Sequence, residues 1–162
     1  MKQTESIQHK IFNLPTLIKQ VASWRILGKT VAFTNGCFDI LHEGHIFSLS
    51  QAAKCADYLI VGVNSDLSIK RLKGDERPIN HEQSRSLLLA SLLVTDAVVI
   101  FNEDTPLQLI TAILPDVLVK GGDYTIEEIV GAKEVIANGG KVVINPIVEG
   151  FSTTAIIEKF KS

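Results

Sequence analysis

Short apolar, β-branched runs recur along the chain: "TVAF" from Thr30, "YLIVGV" from Tyr58, "AVVIF" from Ala97, "DVLV" from Asp116 and "KVVI" from Lys141. Their nearly continuous apolar character suits strands covered on both faces, which is the signature of a parallel sheet. Parallel neighbours need crossovers, and helical patterns lie between the runs. Ile46, Leu49, Ala53 and Ala56 form one stripe, and Leu88, Leu89 and Leu92 another, behind an Asn80-x-x-Gln83 start that approximates a capping box. "TPLQLITAIL", Ile129 to Ala137 and Thr153 to Phe160 supply three more. Strand and helix in alternation predict an α/β fold, a Rossmann-like, doubly wound sheet of about five parallel strands with right-handed crossovers. Residues 1–29 read as an N-terminal helical leader packing through Leu14, Leu17, Ile18 and Val21, and residues 30–162 as the main domain.

Charge and composition narrow the function classes. A formal net charge of -2 gives no global basic field for nucleic acid. No apolar run reaches membrane-spanning length, and Met1 is followed by a polar, mixed-charge segment without a signal region, so a cytoplasmic protein is expected. Cys37 and Cys55 have neither zinc-ribbon nor redox-pair spacing.

In a doubly wound sheet, ligands sit beyond the carboxyl ends of the strands where strand order reverses. The unusual residues of this chain follow strands: "TNGCFDILHEGH" the first run, "KGGDY" the fourth, and "EGFSTT" the fifth. There is no G-x-G-x-x-G, and the "GKT" at Gly28–Thr30 lacks the earlier P-loop glycine and precedes a strand, so it reads as a turn.

Three readings of His42 and His45 compete. A zincin helix places its histidines four apart, whereas H-E-G-H places them three apart around a helix-weakening glycine. A structural role would satisfy each ring with backbone. The anion reading uses more residues: Gly36 and Gly44 permit close backbone approach, and a helix starting near Gly44 aims N–H groups and its dipole at a ligand. Two imidazoles on that turn would then donate to phosphate oxygens as charge builds up.

These motifs carry a resemblance. "GCFDILHEGH" resembles the H-x-G-H motif of the nucleotidyltransferase superfamily, and Ser152-Thr153-Thr154 its C-terminal signature. "KGDERPIN", "LVKGGDY" with "VGAKEV", and "EGFSTTAIIEKF" resemble the adenylyltransferase family of ADP-heptose synthesis, from about Lys29 onward. That family joins ATP to D-glycero-β-D-manno-heptose 1-phosphate and releases pyrophosphate, for the lipopolysaccharide inner core. Some members carry the domain behind a sugar kinase, and the short leader here resembles the stand-alone form. The cytidylyltransferase pattern R-T-E-G-x-S-T appears as Ile147-Val148-Glu149-Gly150-Phe151-Ser152-Thr153, a departure that favours the heptose branch over a glycerol-3-phosphate cytidylyltransferase. A nucleotide-binding module without turnover is the alternative of another class.

The resemblance implies roles by position. His42 and His45 would contact the triphosphate and the α-phosphate, helped by the backbone of Cys37 and Phe38, with Lys73 neutralising phosphates from a loop and Arg77 sharing it. Asn35 and Asp39 would meet the sugar phosphate. Lys120, Gly121, Gly122 and Asp123 would approach the nucleoside, Asp123 being alternatively a turn former. Ser152 reads as an N-cap with Phe151 and Ile156 as a staple, while Thr153 and Thr154 would face the outer phosphates. Arg85 shares a helical face with leucines; it either pairs with a buried carboxylate or, by the resemblance, contacts phosphate or anchors a loop. Mg²⁺ would arrive with the ATP, the partners would be small molecules alone, and a homo-oligomer is the family expectation.

Overall fold

The computed structural model describes residues 4–146 and Ile157. Its strands are β1 (Ile11–Phe12), β2 (Val31–Gly36), β3 (Tyr58–Asn64), β4 (Ala97–Phe101), β5 (Val117–Gly121) and β6 (Lys141–Asn145). The helices are α1 (Leu14–Ile26), α2 (Glu43–Ala53), α3 (Asp66–Lys73), α4 (Glu82–Ser91), α5 (Leu107–Ile113) and α6 (Ala132–Ala137). All strand pairings are parallel, in the order β1-β4-β3-β2-β5-β6. From β2 the chain winds outward through β3 and β4, then returns to build β5 and β6 on the other side. Strand order therefore reverses between β2 and β5, and a crevice opens at their carboxyl ends.

Each of the five apolar runs is a strand, and a sixth strand precedes them. Ile11 and Phe12 pair with Val98 and Val99 at the sheet edge, too briefly to leave a sequence pattern. The leader helix packs through Leu17, Val21 and Trp24, which join Val31, Phe33, Ile60 and Leu118 beneath α5 and α6, whereas Ile18 of the expected stripe is 41% exposed. On the opposite face Leu49 and Ala52 of α2 and Leu89 and Ala90 of α4 cover Ala32, Leu59, Val61 and Val119. Neighbouring strand residues thus serve different layers, the period-two rule applied to a sheet covered on both sides.

Some helix details differ from the sequence reading. The buried face of α4 is Arg85, Ser86, Leu89 and Ala90, while Leu88 is 47% exposed. Its N-cap is His81 and not Asn80, whose side chain is drawn away to the Asp39 carbonyl. Ile46 lies on the outer side of α2. The helix expected over Thr153–Phe160 lies outside the described residues except for Ile157, which is helical.

The amino ends of the strands share one device. Asp57, Asp96 and Asp116 each stand immediately before a strand and accept the backbone N–H of Thr30, Leu59 and Val31 respectively, at 2.8 to 2.9 Å. These carboxylates satisfy strand-end donors at the base of the sheet. Because Leu17 is fully buried in the shared core, Leu17→Ala should lower the unfolding free energy by about 2–5 kcal/mol. Urea denaturation checks this; a loss below about 0.5 kcal/mol would mean that the leader helix is not part of the core.

Candidate active site

The loop from β2 to α2 turns sharply at Phe38, a non-glycine residue with φ +49°. That conformation is costly for a bulky side chain and is held by its surroundings. The Phe38 ring packs on Gly36, where an added Cβ would stand 3.1 Å from it, and tilts over His45 at 5.3 Å between centroids. His42 is the N-cap of α2, so the N–H groups of Glu43 and Gly44 fall in the first turn, where helices offer unpaired donors. The rings of His42 and His45 stack at 3.8 Å, and the His42 N–H donates to His45 Nδ1 at 3.4 Å.

Burial lowers the pKa of His42, and burial, His42 and Lys73 together push His45 down to about 4. Both rings are therefore neutral near pH 7. With Nδ1 accepting, neutral His45 carries its proton on Nε2, as a donor for an incoming anion. Lys73 closes α3 as its exposed last residue, a helix end where the sequence suggested a loop. Among the described residues, no group of three or more His, Cys, Asp or Glu side chains is arranged to hold a metal ion.

Two buried hubs shape this loop. Arg85 is 0% exposed and donates to Cys37 O at 2.6 Å, to Asn64 O and Asn80 O at 2.8 Å, and to Asp66 Oδ1 at 2.8 Å. Its guanidinium is thus directed at carbonyls and a carboxylate, the arrangement that the carboxylate-pairing and loop-anchoring alternatives of the sequence reading describe. Because Arg85 holds the Cys37 carbonyl, the trans peptide turns the Phe38 N–H away from the guanidinium.

The second hub is Asp39, expected to meet the sugar phosphate. Instead its buried carboxylate accepts from Arg77 Nε at 2.6 Å, Ile79 N at 2.8 Å and Asn80 N at 2.9 Å. Burial alone would raise its pKa, but the N–H groups of Asn80 and Ile79 and the Arg77 guanidinium outweigh it and hold the carboxyl below its usual range. Asp39 and Arg77 are thus each other's partners and tie the Gly74–His81 loop to the β2–α2 loop.

Across the switch point, Lys120 Nζ donates to Asn35 Oδ1 at 3.1 Å. Burial pushes the Lys120 ammonium below the usual lysine range, so an arriving anion would find it poorly solvated. Gly121 lies over α2, where an added Cβ would sit 3.5 Å from Ser48 Oγ. Gly122 takes φ +129° and Asp123 is exposed on the following bend. Ser152, Thr153 and Thr154, with Phe151 and Ile156, lie outside the described residues.

Sequence reasoning passed over Asn64, whose buried amide donates to Ser68 Oγ at 3.0 Å and lies 4.0 Å from Cys37 Sγ. The signal was present in "VNSD": a polar residue ending a buried strand, followed by Ser65, the N-cap of α3.

Fold and site together define an α/β nucleotidyltransferase of the H-x-G-H type, with its imidazoles at a helix N-terminus beside the switch point. Residues 33–159 match the cytidylyltransferase-like family, and the chain belongs to it. It is 58% identical over 146 residues to the bifunctional protein HldE of Hyphomonas neptunium, covering 90% of this chain and 30% of that protein. It is 55% identical over 152 residues to the HldE of Koribacter versatilis, covering 94% and 31%. The chain thus spans about a third of the length of these relatives. A lipopolysaccharide core biosynthesis protein from Thermoplasma volcanium shares 31% identity with a TM-score of 0.60, over 75% of this chain and 98% of that one. A pantoate-beta-alanine ligase from Francisella tularensis, at 16% identity and a TM-score of 0.57 over 93% and 76%, shares the fold. Among the described residues no helix is long and apolar enough to cross a membrane.

Arg85→Ala should destabilise the protein by about 3–5 kcal/mol, because Asp66 and the carbonyls lose their buried donor; a loss under about 1 kcal/mol in urea unfolding would contradict the anchor role. In NMR titration the His45 ring should show a midpoint near 4, with His42 below the usual 6.5. Between those values the unfolded chain binds the proton first, so the His45 contribution to stability is fully present above pH 6.5 and declines as pH falls toward 4. A His45 midpoint at or above 6.5 would contradict the desolvated stack.

Proposed function

We propose that the protein transfers AMP from ATP to D-glycero-β-D-manno-heptose 1-phosphate, giving ADP-heptose and pyrophosphate for the lipopolysaccharide core. The observation that carries this reading is the neutral, stacked His42–His45 pair at the start of α2, beside Lys73 and across the switch point from Lys120. The heptose-branch motifs and the likeness to the lipopolysaccharide core biosynthesis protein support the choice of acceptor. On this reading the protein is a cytoplasmic homo-oligomer acting on small molecules, without nucleic acid or membrane partners.

A non-bridging oxygen of the sugar 1-phosphate attacks the α-phosphorus of ATP. The bond from that phosphorus to the bridging oxygen of the β-phosphate breaks, and pyrophosphate leaves with the electron pair. The nucleophile is already ionised near neutral pH, so no general base is required, and positioning with charge stabilisation suffices. The imidazole N–H groups and the first-turn N–H groups of α2 stabilise the negative charge on the α- and β-phosphate oxygens. As that charge grows it raises the affinity of the neutral rings for their protons, so the interaction strengthens toward the transition state. Mg²⁺ bound to the triphosphate would supply further charge neutralisation.

Pyrophosphate release with ATP and the heptose 1-phosphate, set against CTP with glycerol 3-phosphate, tests the reaction. Turnover is expected only with the first pair; turnover with the second, or with neither, sinks the reading. His42→Ala or His45→Ala should reduce kcat by about 10²–10³-fold and leave the ATP Kd within a few-fold. Equal loss of ATP binding would argue against transition-state stabilisation.

A further inference from the structure

The histidine helix is anchored by its far half. The buried residues of α2 are Leu49 and Ala52, whereas Ile46 and Phe47 are 40% and 38% exposed. The turn that carries His42 and His45 therefore has no buried apolar residue of its own to fix it against the sheet. A polar tie stands in that place. Asn145, the last residue of β6, is 5% exposed, and its Nδ2 donates to Ser48 O at 3.2 Å. Ser48 lies one turn beyond His45, inside α2. The helix ladder already gives its carbonyl an N–H, so the amide reaches it as a second donor from outside the helix. Val143 packs with Leu49, Ala52 and Val119, and the alternation along β6 puts Asn145 on that same α2 face.

The same residue holds the end of β5. Asn145 is registered with Gly121, and its backbone carbonyl accepts the Gly122 N–H at 3.2 Å. Gly122 takes φ +129°, a conformation open to glycine. Gly121 lies against α2, where an added Cβ would stand 3.5 Å from Ser48 Oγ. By side chain and main chain, Asn145 thus joins two elements at the mouth of the crevice. One is the helix whose first turn faces anions, and the other is a strand end where two glycines leave the backbone bare.

We propose that Asn145 is a positioning residue: it keeps the histidine helix and the Gly121–Gly122 strand end in one register, so that a nucleotide is gripped by its phosphates and its nucleoside at once. The inference rests on the reaction proposed above. The start of α2 offers N–H groups and its dipole to phosphates, and the bare glycine backbone admits a nucleoside at close range. A ligand with two such ends gains from binding both only when the spacing of the sites matches its own length. Reacting atoms are equally sensitive, since a displacement of about 1 Å made far from the chemistry can cost about 10²-fold in rate. A buried amide suits the task because Nδ2 can only donate, and Ser48 O can only accept.

Asn145→Leu keeps the volume and removes the donor, and Asn145→Ser shortens the side chain beyond reach of Ser48 O. In calorimetry each should raise the Kd for ATP about tenfold and leave the Kd for inorganic tripolyphosphate within about twofold of wild type, because tripolyphosphate engages α2 alone. The serine variant carries the comparison if the leucine variant does not fold. A residue that merely filled the core would lower stability in urea and leave both affinities of the folded protein as they were. Equal weakening of both ligands, or of neither, would therefore overturn the positioning role while the proposed reaction stands. If the variants lost ATP affinity selectively but the wild type released no pyrophosphate, the reaction would fall and the positioning role would stand.

Discussion

The buried guanidinium of Arg85 is the interaction on which the crevice depends. It reaches the carbonyl of Cys37 in the β2–α2 loop, that of Asn64 at the end of β3, and that of Asn80 in the loop before its own helix. Asp66 supplies the compensating charge at 2.8 Å. A planar fork with several fixed donors can hold two loops and a strand end at once, which a lysine ammonium on a flexible stem does less well. Asp39 complements it from the other direction as an acceptor-only hub for Arg77, Ile79 and Asn80. Between them, the two hubs satisfy loop backbone groups that burial would otherwise leave unpaired.

Charges spent in this way are not available to a ligand, and that sorts the site. We propose that substrate chemistry falls to the imidazole pair and first-turn N–H groups of α2, to exposed Lys73, and to Lys120 with Asn35 across the switch point. They lie on both sides of the sheet crest. A nucleotidyl transfer needs that division, because the incoming phosphate and the departing pyrophosphate occupy opposite sides of one phosphorus.

Much of this was legible in the residues. The five apolar runs located five strands, since strands covered on both faces leave a continuous hydrophobic signal. The position of H-E-G-H after the first run located the helix N-terminus. The two-residue strand β1 was not legible, because Ile11 and Phe12 are too few to establish a period. Arg85 showed itself as a cation out of place on an apolar face, yet its partners come from residues 5 to 48 positions away, and only the fold brings them together. Asp39 and Arg77 read as substrate contacts from their positions, beside the H-x-G-H motif and in the loop that follows Lys73; their mutual pairing, 38 residues apart in sequence, is tertiary information. Asp104, Tyr124 and Glu128 look like ordinary loop residues until the switch point gathers them around one cleft.

We infer that this crevice works by positioning and charge alone, with one direct displacement at the α-phosphorus and no covalent intermediate on the protein. Cys37, half-buried in the same loop, is the nucleophile a two-step alternative would use. The stereochemical course with one diastereomer of ATPαS decides between them. A single in-line attack predicts inverted configuration at the α-phosphorus of the nucleotide-sugar product. Retention would require two displacements and would contradict the account.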